Sequence, residues 1–138
     1  MTLEKTRFET ELQVRPDDID MNQHVHGSRY FDYVLAARYD QMARCYGMAM
    51  EEFTKAGFGW FARVAHMEYK RQLTLGEKFV VATFVSELHE SEVRVEFEIF
   101  KQQNKKICCD GYFIYTMVSL ETRRAASIPD WIAKKYSI

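Results

Sequence analysis

The chain has 138 residues, 47% of them hydrophobic and 14% aromatic, and a formal net charge of −1 at pH 7. These values predict one folded domain over residues 1–138 and argue against a nucleic-acid partner or an anionic membrane surface. No apolar run approaches the ~20 residues of a transmembrane helix, and the amino-terminal residues are unlike a signal peptide. Cys45 and the adjacent Cys108 and Cys109 fit neither a disulfide framework nor a metal site. We therefore expect a cytoplasmic protein that uses no metal or cofactor.

The first half of the chain predicts a strand, a long helix and a short helix. Apolar and polar residues alternate from Phe8 to Val14, which predicts a strand. From about Ser28 to Tyr46, apolar residues recur at three- and four-residue spacing, as in an amphipathic helix. The predicted core-facing stripe consists of Phe31, Val34, Leu35, Tyr39, Met42 and Tyr46. Gly47 can end this helix in the left-handed conformation, and a short helix is predicted from Met50 to Lys55.

The second half of the chain predicts four strands and a short final helix. The strands cover about Phe58–Arg71, Lys78–Leu88, Glu92–Lys101 and Lys106–Leu120, and the helix follows Pro129. A meander of such strands needs a cover for its apolar face, and one long helix is available. We therefore predict an α+β fold in which a curved antiparallel sheet wraps around the central helix. The outer face and the edges of the sheet are then candidates for subunit contact.

The segment from Asp18 to Gly27 is the candidate functional site. Its ten residues include two carboxylates, amide side chains and two imidazoles, and the long helix starts directly after them. The start of a helix offers unpaired N–H groups and the positive end of the helix dipole. Polar groups crowded there are typical of a site that stabilises developing negative charge. Helix capping alone requires only one such residue.

This loop and the order of the elements resemble the hotdog-fold thioesterases over nearly the whole chain. Residues 15–33 are similar to the signature of that superfamily: two acidic residues spaced by one, a His-Val pair and a helix that contains tyrosine. Residues 18–25 are most similar to the acyl-acyl-carrier-protein thioesterases, and residues 68–72 resemble a second stretch of that group. The chain length resembles that of the single-hotdog acyl-CoA and 4-hydroxybenzoyl-CoA thioesterases.

The resemblance implies a thioesterase that hydrolyses an acyl-CoA or an acyl-acyl-carrier-protein thioester, with Asp20 as the catalytic carboxylate. Asn22 and His24 take the positions of a catalytic amide and imidazole. Gly27 takes the position whose N–H group binds the thioester oxygen. Gln72 falls where the plant carrier-protein enzymes have a catalytic glutamate, and we expect it to contact the substrate. The resemblance also implies a site between two subunits of a homodimer or of a dimer of dimers, without metal or cofactor.

Several alternatives stay open from the residues alone. Asp20 can act as a general base on water or as a nucleophile that forms a mixed anhydride. Asn22 is also a residue type that favours a left-handed turn, and His24 can be a structural imidazole. A non-catalytic acyl-thioester-binding protein is an alternative function, because Gln72 replaces the acid. A hydroxyacyl-thioester dehydratase is another, although it requires a His/Asp pair in a different motif.

Overall fold

The computed structural model describes residues 2–138, which contain five strands and three α-helices. In chain order they are β1 (Phe8–Gln13), α1 (Gly27–Arg44), α2 (Met50–Lys55), β2 (Phe58–Tyr69), β3 (Lys78–His89), β4 (Glu92–Lys101), β5 (Ile107–Ser119) and α3 (Asp130–Lys135). Each predicted element is present within a few residues of its predicted bounds. The α+β class is therefore confirmed.

The strands form one antiparallel sheet in the order β1-β3-β4-β5-β2. The prediction of a simple meander is wrong in one respect, since β2 pairs with β5 and not with β3. The segment between β2 and β3 runs from the β2 edge of the sheet past β5 and β4 to β3, and it contacts the polar loop on the way. There Leu73 is fully buried and its carbonyl oxygen accepts a hydrogen bond from the N–H of Val25 at 3.0 Å. This crossing leaves β2 as an edge strand.

Helix α1 packs against one face of the sheet. Its residues Tyr33, Val34 and Ala37 lie in one buried cluster with sheet residues such as Phe97 and Phe113. Burying one such phenylalanine side chain contributes roughly 1.5–3 kcal/mol to folding. The cluster fixes α1 across the sheet, and the start of α1 is thereby held next to the end of β2.

The predicted apolar stripe of α1 is only partly correct. Leu35 and Tyr39 are 40% and 52% exposed, whereas Arg38 and Gln41 are 7% and 0% exposed. The reason lies on β3, where the buried hydroxyl of Thr83 hydrogen-bonds Gln41 and accepts from Arg38 Nη1 at 3.2 Å. A polar partner in the sheet therefore turns two polar residues of α1 inward.

A second buried cluster closes the carboxyl-terminal end of α1. Tyr46 stacks on Tyr136 with ring centroids 4.6 Å apart, and Phe53 of α2 packs beside Tyr136. The Tyr136 hydroxyl donates to the carbonyl oxygen of Met48 at 2.7 Å. These contacts fold the last residues of the chain over the helix end. The two ends of α1 thus face different surroundings, a polar loop at the start and an aromatic cluster at the end.

Candidate active site

The polar loop is anchored by one buried carboxylate. Asp18 is 5% exposed, and its Oδ2 accepts hydrogen bonds from the Tyr33 hydroxyl at 2.7 Å and from the N–H of Arg15 at 2.9 Å. The Arg29 guanidinium lies 3.6 Å from the other oxygen. Burial, and next the hydrogen bond to Asp18, raise the pKa of Tyr33, so its hydroxyl stays a proton donor. Asp18 therefore holds the loop to α1.

Between its anchored ends the loop makes a tight turn. The N–H of Asp20 donates to the carbonyl oxygen of His24 at 2.8 Å, and Ile19 and Val25 form an antiparallel bridge. The left-handed residue of this turn is Gln23, with φ 68°, and not Asn22. Because the turn is closed by its own backbone, the position of the Asp20 side chain is fixed locally.

The Asp20 carboxylate is held by two backbone N–H groups. Its Oδ1 accepts from Asn22 at 2.8 Å and from His24 at 3.2 Å. The hydrogen bond from the His24 N–H is the largest cause that lowers the pKa of Asp20 below 3.8. Burial, the second-largest cause, opposes it, while the hydrogen bond from the Asn22 N–H and the charges of His26 and His24 lower the pKa further. Asp20 is therefore an anion at neutral pH, with Oδ2 free of hydrogen bonds to residues 2–138.

All five predicted site residues line one cavity of about 340 Å³ at the start of α1: Asp20, Asn22, His24, Gly27 and Gln72. The structure thus brings Gln72 from the segment after β2 into the neighbourhood of the loop. The side chains of Asn22, His24 and Gln72 make no hydrogen bond to any other residue between 2 and 138. They are available to a bound molecule.

The first turn of α1 presents backbone donors at this cavity. The N–H groups of Gly27 and Ser28 have no acceptor within the helix, because they belong to its first turn. His26, the residue before the helix, provides no side-chain cap. The Tyr69 hydroxyl instead donates to the carbonyl oxygen of Gly27 at 3.0 Å and fixes the helix start to the end of β2.

Sequence analysis did not place four further residues of the cavity wall: Tyr30, Tyr69, Lys70 and Arg71. Burial raises the pKa of Tyr30 to about 12 and also raises the pKa of Tyr69, so both hydroxyls are neutral donors at pH 7. Lys70 Nζ is 2.8 Å from Asp110 Oδ2. The similarity of residues 68–72 to the family pointed to this segment. It did not indicate what each residue of the segment does.

Glu68 belongs to the same segment but lies on the other face of the sheet. It lines a cavity there with Tyr112, and its Oε2 is 3.1 Å from His66 Nε2. Alternation along a strand explains the separation, since adjacent residues point to opposite faces. Within residues 2–138, no group of three or more His, Cys, Asp or Glu side chains is placed to hold a metal ion. None of the helices described is long and apolar enough to cross a membrane.

A sheet packed over one long helix defines the hotdog fold as the class of this protein, with a polar cavity where that helix starts. Solved structures agree on the fold. The 1,4-dihydroxy-2-naphthoyl-CoA thioesterase Slr0204 of Synechocystis superposes with a TM-score of 0.86 at 14% identity, over 95% of this chain and 96% of that one. The DHNA-CoA thioesterase of Staphylococcus aureus gives 0.87 at 21% identity, over 95% of this chain and 89% of that one.

The chain belongs to the thioesterase-like superfamily, whose family model matches residues 14–136. Among characterised proteins it is similar to the long-chain acyl-CoA thioesterase FadM of Escherichia coli (strain K12). The two are 18% identical over 128 residues, which cover 93% of this chain and 96% of FadM. The predicted superfamily, the hotdog fold and the enzyme class of thioesterase are therefore confirmed.

Proposed function

We propose that the protein hydrolyses an acyl thioester to the free acid and the thiol, with Asp20 as the reacting carboxylate. The observation that carries this proposal is the Asp20 carboxylate, held as an anion by the N–H groups of Asn22 and His24 at a cavity next to the first turn of α1. Its Oδ1 is anchored, and its Oδ2 accepts no hydrogen bond from residues 2–138. This arrangement suits a carboxylate that meets a substrate.

The chemistry requires little beyond this carboxylate and a site for the oxyanion. A thiol leaving group with a pKa near ~8.5 departs as thiolate with little help from a general acid. The demanding step is the negative charge that develops on the carbonyl oxygen, where one positioned donor is worth roughly 100- to 1000-fold in rate. Gly27 lines the cavity, and its N–H group, in the first turn of α1, is the backbone donor that we assign to the oxyanion. Asn22, His24 and Gln72 are then positioned to orient the thioester or the attacking water.

Asp20 can act as base or as nucleophile, and its lowered pKa keeps it ionised for either role. A carboxylate with a pKa below 3.8 is a weak base at pH 7, while remaining fully ionised. Single-turnover hydrolysis in ¹⁸O water distinguishes the two routes. When Asp20 attacks the acyl carbon, the thiolate leaves and a mixed anhydride forms; water that opens it at the Asp20 carboxyl carbon puts ¹⁸O into Asp20 and leaves the first product unlabelled. Base catalysis puts ¹⁸O into the product and never into Asp20, so label in Asp20 identifies direct attack.

The similarity to FadM, a long-chain acyl-CoA thioesterase, favours acyl-CoA over acyl-acyl-carrier-protein as the substrate class. Lys70 and Arg71 line the cavity, and both are cations that can meet phosphate groups of a coenzyme A carrier. Cys45, Cys108 and Cys109 are free thiols. They suit a reducing compartment, in agreement with a cytoplasmic location for such a substrate.

The exposed edge of β2 favours a homodimer. Among the strands of residues 2–138, β2 pairs with β5 alone, and a long unpaired strand edge is a template for a further strand. Tyr69, at the end of β2, is part of the site cavity. Trp60 lies near the start of the same strand, nine residues or ~30 Å from Tyr69. Antiparallel pairing of two β2 edges about a two-fold axis brings the start of one strand beside the end of the other. The site is then completed by the partner copy, and the outer face of the sheet remains for a dimer of dimers.

Thiol release from a panel of acyl-CoAs, followed with a thiol-reactive dye, tests the proposed function. Asp20→Asn keeps the size of the side chain and is expected to lower kcat by at least ~100-fold on every substrate that is hydrolysed. Asp17→Asn is the matched control, because Asp17 is exposed just before the loop and its carboxylate pairs, within residues 2–138, only with Arg15. It should leave kcat unchanged.

Two outcomes contradict parts of this proposal. Equal rates for wild type and Asp20→Asn, with the fold intact, remove Asp20 from the mechanism. Absence of release from every acyl-CoA and every acyl-carrier-protein thioester, together with measurable binding of these thioesters, identifies a non-catalytic acyl-thioester-binding protein instead.

A further inference from the structure

The first turn of α1 carries the proposed oxyanion donor but has no side-chain cap. His26, the residue before the helix, makes no capping hydrogen bond. Uncapped helix ends fray, because their first N–H groups have no partner in the helix. The Gly27 N–H can hold an oxyanion only from a fixed position, since a misplacement of about 1 Å can cost up to ~100-fold in rate. Another contact is therefore required to fix the helix start.

Tyr69, the last residue of β2, makes that contact with Gly27. Its hydroxyl donates to the Gly27 carbonyl oxygen at 3.0 Å. A Cβ placed on Gly27 would lie 3.8 Å from the Tyr69 hydroxyl oxygen and from Cζ, so the end of the ring touches the first residue of the helix. Burial raises the pKa of Tyr69, and the hydroxyl stays a donor at neutral pH. The residue that offers its N–H to the oxyanion is thus held through its carbonyl group.

Tyr69 is itself held in place by its ring and by its backbone. The ring packs edge-to-face on Tyr30, in the first turn of α1, with the ring centroids 5.3 Å apart. Tyr30 is only 3% exposed, so this neighbour cannot move freely. The backbone of Tyr69 lies opposite Cys109 of β5 in the sheet register. Tyr69 therefore connects the sheet to the first turn of α1, at the wall of the site cavity.

We propose that Tyr69 is a positioning residue for thioester hydrolysis, which holds the Gly27 N–H at the developing oxyanion by its hydrogen bond to the Gly27 carbonyl oxygen. The proposal rests on the proposed function and deepens it, because it names a residue on which the oxyanion site depends. The single proton of the Tyr69 hydroxyl is used on Gly27 and is not needed by the substrate. An interaction that matters only when charge develops on the oxygen changes kcat and leaves ground-state binding nearly unchanged.

Tyr69→Phe tests this role, because it keeps the ring on Tyr30 and removes only the hydroxyl. On the acyl-CoA that wild type hydrolyses fastest, we expect kcat to fall at least ~10-fold, with KM within about twofold of wild type. The fold should survive, since Tyr69 is 56% exposed. Tyr112→Phe is the matched control, because its hydroxyl on the outer face of the sheet makes no hydrogen bond to another residue between 2 and 138. It should leave kcat unchanged.

Two non-hydrolysable coenzyme A analogues distinguish positioning from a merely structural role without turnover. One carries a difluoro ketone in place of the thioester, and its hydrated carbonyl imitates the tetrahedral intermediate. The other is the matching thioether, which lacks that oxygen. In calorimetric titrations, wild type is expected to bind the ketone at least ~10-fold more tightly than the thioether. Tyr69→Phe should bind the thioether as wild type does and lose most of the preference for the ketone, whereas Tyr112→Phe should keep it.

The outcomes separate the two proposals. A kcat of Tyr69→Phe within about twofold of wild type overturns the positioning role and leaves hydrolysis by Asp20 standing. Weaker binding of both analogues by the same factor also overturns it, since the hydroxyl then supports the cavity as a whole. If wild type hydrolyses no thioester, a ketone preference that is lost in Tyr69→Phe supports the positioning role and counts against the proposed hydrolysis. Equal affinities of wild type for the two analogues, or no binding of either, overturn the positioning role whether or not a thioester is hydrolysed.

Discussion

The anchor of the polar loop gives the sharpest prediction on structure and activity together. Tyr33→Phe removes one hydroxyl from a buried side chain and with it the 2.7 Å hydrogen bond to the Asp18 carboxylate. Asp18 then keeps the N–H of Arg15 as its remaining short partner. Because a hydrogen bond to a charged group contributes about 1.5–3 kcal/mol, we expect a loss of this size in the free energy of unfolding. For a chain of this length that corresponds to a decrease in Tm of roughly 6–12 °C.

The same substitution should affect catalysis, although Tyr33 lies outside the site cavity. Asp18 and Asp20 belong to one short loop, so loosening the anchor shifts the carboxylate that faces the substrate. A misplacement of about 1 Å can cost up to ~100-fold in rate, and we expect a 10- to 100-fold decrease in kcat/KM. Urea denaturation at a fixed protein concentration and thiol release from an acyl-CoA measure the two effects.

Tyr112→Phe is the control for this experiment. Tyr112 lies on the outer face of the sheet, where its ring stacks on His66, and its hydroxyl makes no hydrogen bond to another residue between 2 and 138. It should change the free energy of unfolding by less than about 0.5 kcal/mol. If Tyr33→Phe behaves like Tyr112→Phe in both measurements, the buried hydrogen bond does not hold the loop and the reasoning is wrong.

Two further predictions concern the charge of the site and the packing of the sheet. The N–H of His24 lowers the pKa of Asp20 below 3.8, so Asp20 stays an anion on mild acidification. We therefore expect kcat/KM to stay level from neutral pH down to about pH 4 and to fall only below it. A pH–rate profile with an acidic limb centred above about pH 5 contradicts this. Gly111→Ala should destabilise the fold by at least about 3 kcal/mol in urea denaturation, because its Cβ would lie 1.8 Å from the backbone oxygen of His66. Gly47→Ala, at φ 72° with no atom within 4 Å, should cost only about 1–2 kcal/mol, and equal costs at the two glycines would refute the clash.

The elements of the fold were predictable because they depend on local patterns. Alternation in β1 and the three- and four-residue spacing in α1 are properties of neighbouring residues, and both elements lie where these patterns predict them. The loop around Asp20 was predictable for the same reason, since its turn is closed by its own backbone. Which of its residues adopts the left-handed conformation was not, and the structure assigns it to Gln23.

What the sequence by itself determined was the set of helices and strands, the superfamily, and a polar loop whose Asp20, Asn22, His24 and Gly27 are neighbours in the chain. Only the tertiary structure decided that β2 crosses to the far edge of the sheet, that Gln72 reaches the loop and that Arg38 turns inward. Hydrogen-bond periodicity and turn chemistry act over a few residues, so a sequence displays them directly. Strand order and the inward face of a helix depend on partners far along the chain, such as Thr83 for Arg38. No local pattern contains those partners, and the folded sheet supplies them.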